Sequence, residues 1–362
     1  MNVKIEDLKV GCILVEDVYH LTNKPIISAK TVLNNTHINL LKAFLINEVI
    51  IENTKIDGND FIESRESTEF IQDKTNEQTT FFTKFLHTVQ QYKKEFQSWQ
   101  SGLPVNIANI RLLLLPLLNE LDGSSREIFS LYHLSNKEEY VYQHSVAVAV
   151  ISAYLAEKLH YPKKERIQIA LAGCLSDAGM AKVNPLLLKK TEPLTEEEFK
   201  EVKEHTRYSF KMIPEHALLR NEARLSIYQH HERLDGSGYP LGNDAKKIHP
   251  FAKIIAVADT FHAMTSERLY RTKRSPFKVL EQLQQDYFGK FDLTILNALS
   301  AGIIQYTVGS KVRLSNGEKG EIIFIEEKSP TRPLLIMAKT KEIVDLTKNR
   351  HLFIEEILPC GS

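Results

Sequence analysis

The chain has 362 residues, enough for a full hydrophobic core and two or three compact units, because single cores stop growing near about 250 to 300 residues. Lys plus Arg and Asp plus Glu each total 46, which excludes the global basic field that binds nucleic acid or acidic membranes, so any phosphate recognition must be local. Cys12, Cys174 and Cys360 are scattered and form no CxxC pair, which argues against a disulfide scaffold or a zinc ribbon and fits a reducing cytoplasm.

The first residues lack the charged-then-apolar order of a signal sequence, and the longest apolar runs, such as Leu112 to Leu118, are short and interrupted by Pro116. The expectation is a soluble cytoplasmic protein with no membrane and no nucleic-acid partner. Residues 1–54 alternate short β-branched pieces with turn residues and carry one helical stretch around His37 to Leu45, which predicts a small, mainly β module. Residues 55–80 are polar and read as a linker. A helical connector follows over 81–137, with Phe81, Phe82, Phe85, Val89 and Tyr92 on one stripe.

From 138 to 308 helix follows helix, and five of them carry His or Asp within or beside an apolar face. His144 precedes Val148, Ile151, Leu155 and Leu159 at helical steps. Asp177 ends an apolar run from Ile167 to Leu175, and His205 follows a helix opened by a Thr195–Glu198 capping box. Leu225 leads to His230 and His231, then to Asp235-Gly-Ser-Gly-Tyr-Pro240, where glycines and proline stop the helix. Neighbouring helical residues point about 100° apart, so the two histidines can share one ligand only if the helix ends there or the site is broad. Asp259 closes the run from Phe251. After Val308 the period becomes two, and turns such as Asn316-Gly317 predict a β appendage over 309–362. Its mixed charge suits docking or dimerisation as well as ligand binding. The fold class is mainly α, flanked by two small β modules.

Each histidine or aspartate alone is most simply a hydrogen-bonded structural residue or a helix cap. Together, His144, Asp177, His205, His230, His231 and Asp259 form an imidazole and carboxylate set on successive helices, which is costly to bury without a metal ion or mutual pairing. Nitrogen and oxygen donors without thiolate suit Mn, Fe or Zn, and a carboxylate bridging two ions is a common means of activating water on phosphate esters.

The order His144, Asp177, His205, His230-His231, Asp235-Gly-Ser-Gly-Tyr-Pro240 and Val257-Ala-Asp259 resembles the HD-GYP family, over roughly residues 138–305. The resemblance implies an HD-type helical bundle that hydrolyses cyclic di-GMP or a related nucleotide, with two or three iron or manganese ions and a bridging hydroxide. It implies that Asp177 is catalytic, that Gly238, Tyr239 and Arg271 contact substrate, and that the Gly-Tyr-Pro surface can meet signalling proteins; a homodimer is a further candidate assembly. By the family's layout, one ion is held by Asp177, His205, His230 and His231. The other uses His144, Asp177, Asp259 and a histidine that this chain replaces with Ser176.

Met180 also stands where the family places a lysine near the phosphate, Tyr140 where three-metal members carry a carboxylate, and His262 where a second aspartate is usual. A hydroxyl is a poor substitute for a neutral imidazole toward a transition metal. The expectation is one firmly bound ion, a second weak or absent, and weak or lost hydrolysis. The competing readings are a non-catalytic cyclic di-GMP receptor or scaffold, and a hydrolase of another phosphoester.

Overall fold

The computed structural model describes residues 2–9, 11–19, 26–27, 31, 33, 35–44, 46, 48–51, 81–121, 125–135, 137–188, 190–214, 218–266, 274–285, 288–304, 308–326 and 329–358. The expected linker, Arg271 and Cys360 lie outside them. The chain divides into two compact units, residues 1–87 and 88–362.

In the first unit, strand β1 (Asn2–Lys4) precedes helix α1 (Asn35–Ala43) and strand β2 (Glu48–Ile50). The strands pair antiparallel with Val3 opposite Val49, and single bridges join Leu14 to Ile51 and Val18 to Ile27. The apolar residues of these short pieces, including Val3, Leu14, Leu33, Leu41, Val49 and Ile51, form one buried cluster. Helix α2 (Phe81–Gln100) spans the division between the units.

The second unit carries the remaining helices. Val89, Tyr92, Phe96 and Trp99 recur at three- and four-residue steps and are buried along α2, with Tyr92 and Trp99 edge to face at 5.6 Å. They are followed by α3 (Ile107–Leu118), capped by the Asn106 side chain, and α4 (Ser125–Ser130). The centre is α5 (Tyr140–Lys158) against α6 (Lys163–Leu175). Val, Ala and Ile on almost every face of α5 make it a core helix, each large side chain contributing about 1.5–3 kcal/mol by burial. Gly173 lets the two backbones approach, since a Cβ there would lie 3.2 Å from both Val148 O and Ser152 Oγ.

A 3₁₀ turn (Ala178–Lys182) and α7 (Pro185–Leu188) lead to α8 (Glu196–Lys203), whose start is fixed by the Thr195–Glu198 capping box. Then come α9 (His205–Met212), α10 (Asn221–Gln229), α11 (Pro250–Thr265), α12 (Pro276–Gln285) and α13 (Leu293–Ile303).

The chain closes with β3 (Lys311–Leu314), β4 (Lys319–Phe324), β5 (Leu334–Met337), β6 (Ile343–Asp345) and β7 (Ile354–Ile357), an antiparallel sheet in the order β6-β5-β4-β3-β7. The Asn316-Gly317 turn works because Gly317 takes φ 83°. The sheet is fastened to α12: Ser275 Oγ donates to Ile354 O at 2.7 Å, and Arg332 holds the buried Glu281 carboxylate through Nε (2.5 Å) and Nη2 (2.6 Å). The architecture is therefore mainly α with small antiparallel sheets, as the change of hydrophobic period indicates. Among the described residues no helix is long and apolar enough to cross a membrane.

Candidate metal centre

Helix packing within 88–362 brings six sequence-distant groups to one place. His144 projects from α5, Asp177 precedes the 3₁₀ turn, His205 opens α9, and Asp259 lies on α11. Helix α10 ends at Gln229, so His230 sits in the cap position and His231 in the following turn. The two rings lie 4.0 Å apart between centroids.

The donor atoms form two overlapping groups that share Asp177. In the first, atoms of Asp177, His205, His230 and His231 all lie within 4.8 Å of one another. His205 Nε2 is 3.2 Å and His230 Nε2 3.6 Å from Asp177 Oδ1. In the second, His144 Nε2 stands 3.0 Å from Asp259 Oδ1 and 3.6 Å from Asp177 Oδ2. His231 Nδ1 adds a longer approach of 3.8 Å to Asp259 Oδ2.

Electrostatics follow from burial and pairing. Burial by itself would raise the Asp177 carboxyl, yet the adjacent His205 and His230 imidazoles, in their protonated forms, hold it well below the usual carboxylate range. Asp259 is lowered likewise, burial being outweighed chiefly by His144. Burial opposes charging of His205, but Asp177 reverses the balance and raises it. His231 is pushed well down by burial and by neighbouring His230.

These residues fit a divalent cation. A carbonyl can only accept, so His205 Nδ1 donates to Val202 O (2.6 Å) and His230 Nδ1 donates to Ile227 O (2.7 Å). In the neutral rings both Nε2 lone pairs then face each other at 3.4 Å, so neither ring can donate to the buried Asp177 Oδ1 beside them, and among the described residues no other group donates to it. Two lone pairs and a carboxylate at one point call for a positive charge, and neutral imidazole with carboxylate oxygen suits a borderline metal ion better than a soft one.

The second group is poorer. Ser176 Oγ donates to Ala172 O (2.8 Å), back along its own helix. His144 Nδ1 meets His262 Nδ1 at 2.9 Å, and the Tyr140 ring stacks on His144 at 5.2 Å. Met180 is half-buried in the 3₁₀ turn.

Tyr239 stacks on His231 at 4.6 Å and stands edge-on to His205 at 6.5 Å, covering two of the ligand candidates. Gly238 serves the loop itself: a Cβ there would lie 2.4–2.5 Å from backbone atoms of His231, Glu232 and Arg233. Sequence reasoning left out the residues that hold this loop. The buried Glu232 carboxylate accepts from Leu241 N (2.8 Å) and Asn243 N (2.9 Å). Arg233 donates to Glu232 O (2.9 Å) and lies over the Phe291 ring at 4.8 Å. Their only signal was their place directly behind the paired histidines.

Residues 132–295 match the HD domain family. The cyclic di-GMP phosphodiesterase PA4108 of Pseudomonas aeruginosa is 32% identical over 214 residues, which cover 57% of this chain and 51% of that protein. The 3'3'-cGAMP-specific phosphodiesterase 3 of Vibrio cholerae is 31% identical over 46% of this chain and 36% of its own length. The cyclic di-GMP phosphodiesterase response regulator RpfG of Xanthomonas campestris is 31% identical over 53% of this chain and 52% of its own length. The chain thus spans about half the length, or less, of these curated relatives. Among solved structures, Bd1817, an HDG"Y"P protein from Bdellovibrio bacteriovorus, superposes with a TM-score of 0.52 over 83% of this chain and 98% of its own, at 16% identity, a likeness of fold.

Proposed function

We propose that residues 132–295, which match the HD domain family, are of its HD-GYP branch, and that the chain is a metal-binding protein of cyclic di-GMP signalling that hydrolyses its dinucleotide weakly or not at all. The observation that carries this reading is the inequality of the two donor groups around Asp177: four residues on one side, three on the other. Asp177, His205, His230 and His231 would hold one iron or manganese ion firmly; His144, Asp177 and Asp259 would hold a second weakly. A bound ion of this kind supplies Lewis-acid polarisation of a phosphate and acidification of water. The protein's own contribution is orientation. The carbonyls of Val202 and Ile227 fix two imidazoles with Nε2 inward, Asp177 serves both groups, and Tyr239 covers His231 and limits access of bulk water. Tyr239, Gly238 and Arg271 remain the proposed substrate contacts. The Gly-Tyr-Pro surface is the proposed meeting point with signalling proteins or a second copy of the chain.

The test is metal analysis of protein purified without oxygen, followed by turnover of cyclic di-GMP and 3'3'-cGAMP with added Mn²⁺. Product above an Asp177→Ala control supports hydrolysis; no product from a metal-loaded wild type refutes it. The Ser176 hydroxyl, committed to Ala172 O, favours the second reading, a non-catalytic receptor or scaffold. Calorimetry decides that reading: heat of dinucleotide binding without turnover identifies a receptor, whereas no heat leaves a protein-interaction role. Turnover of another phosphoester in preference to both dinucleotides would move the substrate class.

A further inference from the structure

Phe199 and Lys203 stand four residues apart on α8, hence on one face of that helix. Phe199 is a large apolar side chain left 46% exposed. Lys203 Nζ lies over the Phe199 ring at 4.5 Å and over the Tyr239 ring at 5.1 Å. Among the described residues no carboxylate pairs with Lys203, whereas Lys190, which reaches forward to the first turn of the same helix, is neutralised by Glu198. Tyr239 in turn rests on His231 at 4.6 Å and meets Phe199 edge to face at 6.5 Å. Aromatic, ammonium and aromatic therefore run in a continuous line from the exposed flank of α8 down to the metal-binding histidines.

A hydrophobic patch alone would need no cation, and a solvent-exposed lysine would need no pair of rings to place it. Cation–π contacts hold the ammonium in position yet leave its three N–H donors without an acceptor, the state in which a lysine is available to an oxyanion. An exposed ring beside it offers a stacking face for a heterocycle, a contact tolerant of base identity. The ligand that satisfies both features next to a phosphoester-type metal centre is a nucleotide. We propose that Phe199 and Lys203 form the nucleotide-binding wall of this site, Lys203 contacting a phosphate oxygen and Phe199 stacking on a base, beside Tyr239 of the Gly-Tyr-Pro loop. This inference rests on the cyclic-dinucleotide reading above and adds two residues to it, both outside the metal-ligating set.

The experiment is titration calorimetry of metal-loaded protein with cyclic di-GMP, and with GMP as a single-nucleotide probe, while metal content is measured by mass spectrometry. Lys203→Met keeps the aliphatic stem and removes the charge; it should weaken nucleotide binding roughly tenfold and flatten its salt dependence, with metal content unchanged. Lys203→Arg should recover most of the affinity. Phe199→Leu should also weaken binding roughly tenfold, with little change in salt dependence. Wild-type binding that Lys203→Met and Phe199→Leu leave intact overturns the inference while sparing the dinucleotide reading. Failure of the metal-loaded wild type to bind either probe overturns both. Loss of binding with parallel loss of metal in these variants assigns them a structural role and also overturns the inference.

Discussion

Glu232 offers the sharpest test of how the Gly-Tyr-Pro loop is built. Its side chain is only 2% exposed and accepts hydrogen bonds from Leu241 N at 2.8 Å and Asn243 N at 2.9 Å, fastening the far side of the loop to the turn that carries His231. Both bonds are charge-assisted, a class that contributes about 1.5–3 kcal/mol each. Glu232→Gln keeps one acceptor oxygen and turns an amide NH₂ toward the other backbone N–H, so one bond is lost and two donors oppose each other. The cost is about 2–4 kcal/mol of stability, once the unsatisfied donor is included. For a unit of this size that lowers Tm by about 4–8 °C. The assay is thermal unfolding of metal-loaded protein, with exposed Glu342→Gln as a control expected within about 0.5 kcal/mol of wild type. Metal content should hold, because the His230 ring is oriented by Ile227 O on α10 and not by Glu232. Nucleotide affinity should fall, because Tyr239 sits inside the loosened loop. A Glu232→Gln protein that melts with wild type and binds nucleotide equally would refute the reasoning.

Asp177→Ala removes the residue common to both donor groups and should strip the protein of bound metal altogether; an ion retained at wild-type stoichiometry would show that the site lies elsewhere. Ser176→His supplies an imidazole beside the poorer group and should raise the number of ions per chain, and unchanged stoichiometry would mean that the wrong group has been called depleted. His262 touches His144 Nδ1, so His262→Asp should strengthen metal retention by the His144 group and His262→Leu should weaken it; equal retention in the two variants would deny His262 any orienting role. Arg332→Met leaves the buried Glu281 carboxylate with only the longer Lys278 pair at 3.6 Å, which should destabilise the protein and speed amide exchange in β7 and α12. Unaltered protection there would show that the C-terminal sheet is held by other contacts.

The change in hydrophobic period from 3.6 to two after Val308 placed the C-terminal strands, since alternation has one local cause. The capping box at Thr195 and Glu198 likewise marked the start of α8 from four residues of sequence. The candidate ligand types were legible because burying histidine and aspartate among Val, Ala and Ile is expensive unless something compensates them. Less was legible around them. Glu232 looks like any surface acid until its carboxylate is seen to close on Leu241 N and Asn243 N. The side-chain direction of Ser176 and the meeting of His144 with His262 depend on rotamers and on the packing of α5 against α11, which no local pattern encodes. Lys203 reads as one of many helical lysines, and only the approach of Tyr239 from residues far along the chain gives it two aromatic faces.

By itself, then, the sequence determined a helical core with small β modules, the chemical kind of the candidate ligands, and the match of residues 132–295 to the HD domain family. These follow from short-range periodicity, from desolvation cost and from the quoted motif strings, all properties of the linear chain. The tertiary structure decided which donors meet, that Asp177 stands between two unequal groups, and that the loop around Tyr239 rests on a buried glutamate. Those depend on distances between residues as far apart as His144 and Asp259, 115 positions along the chain, and such distances are set by how helices pack.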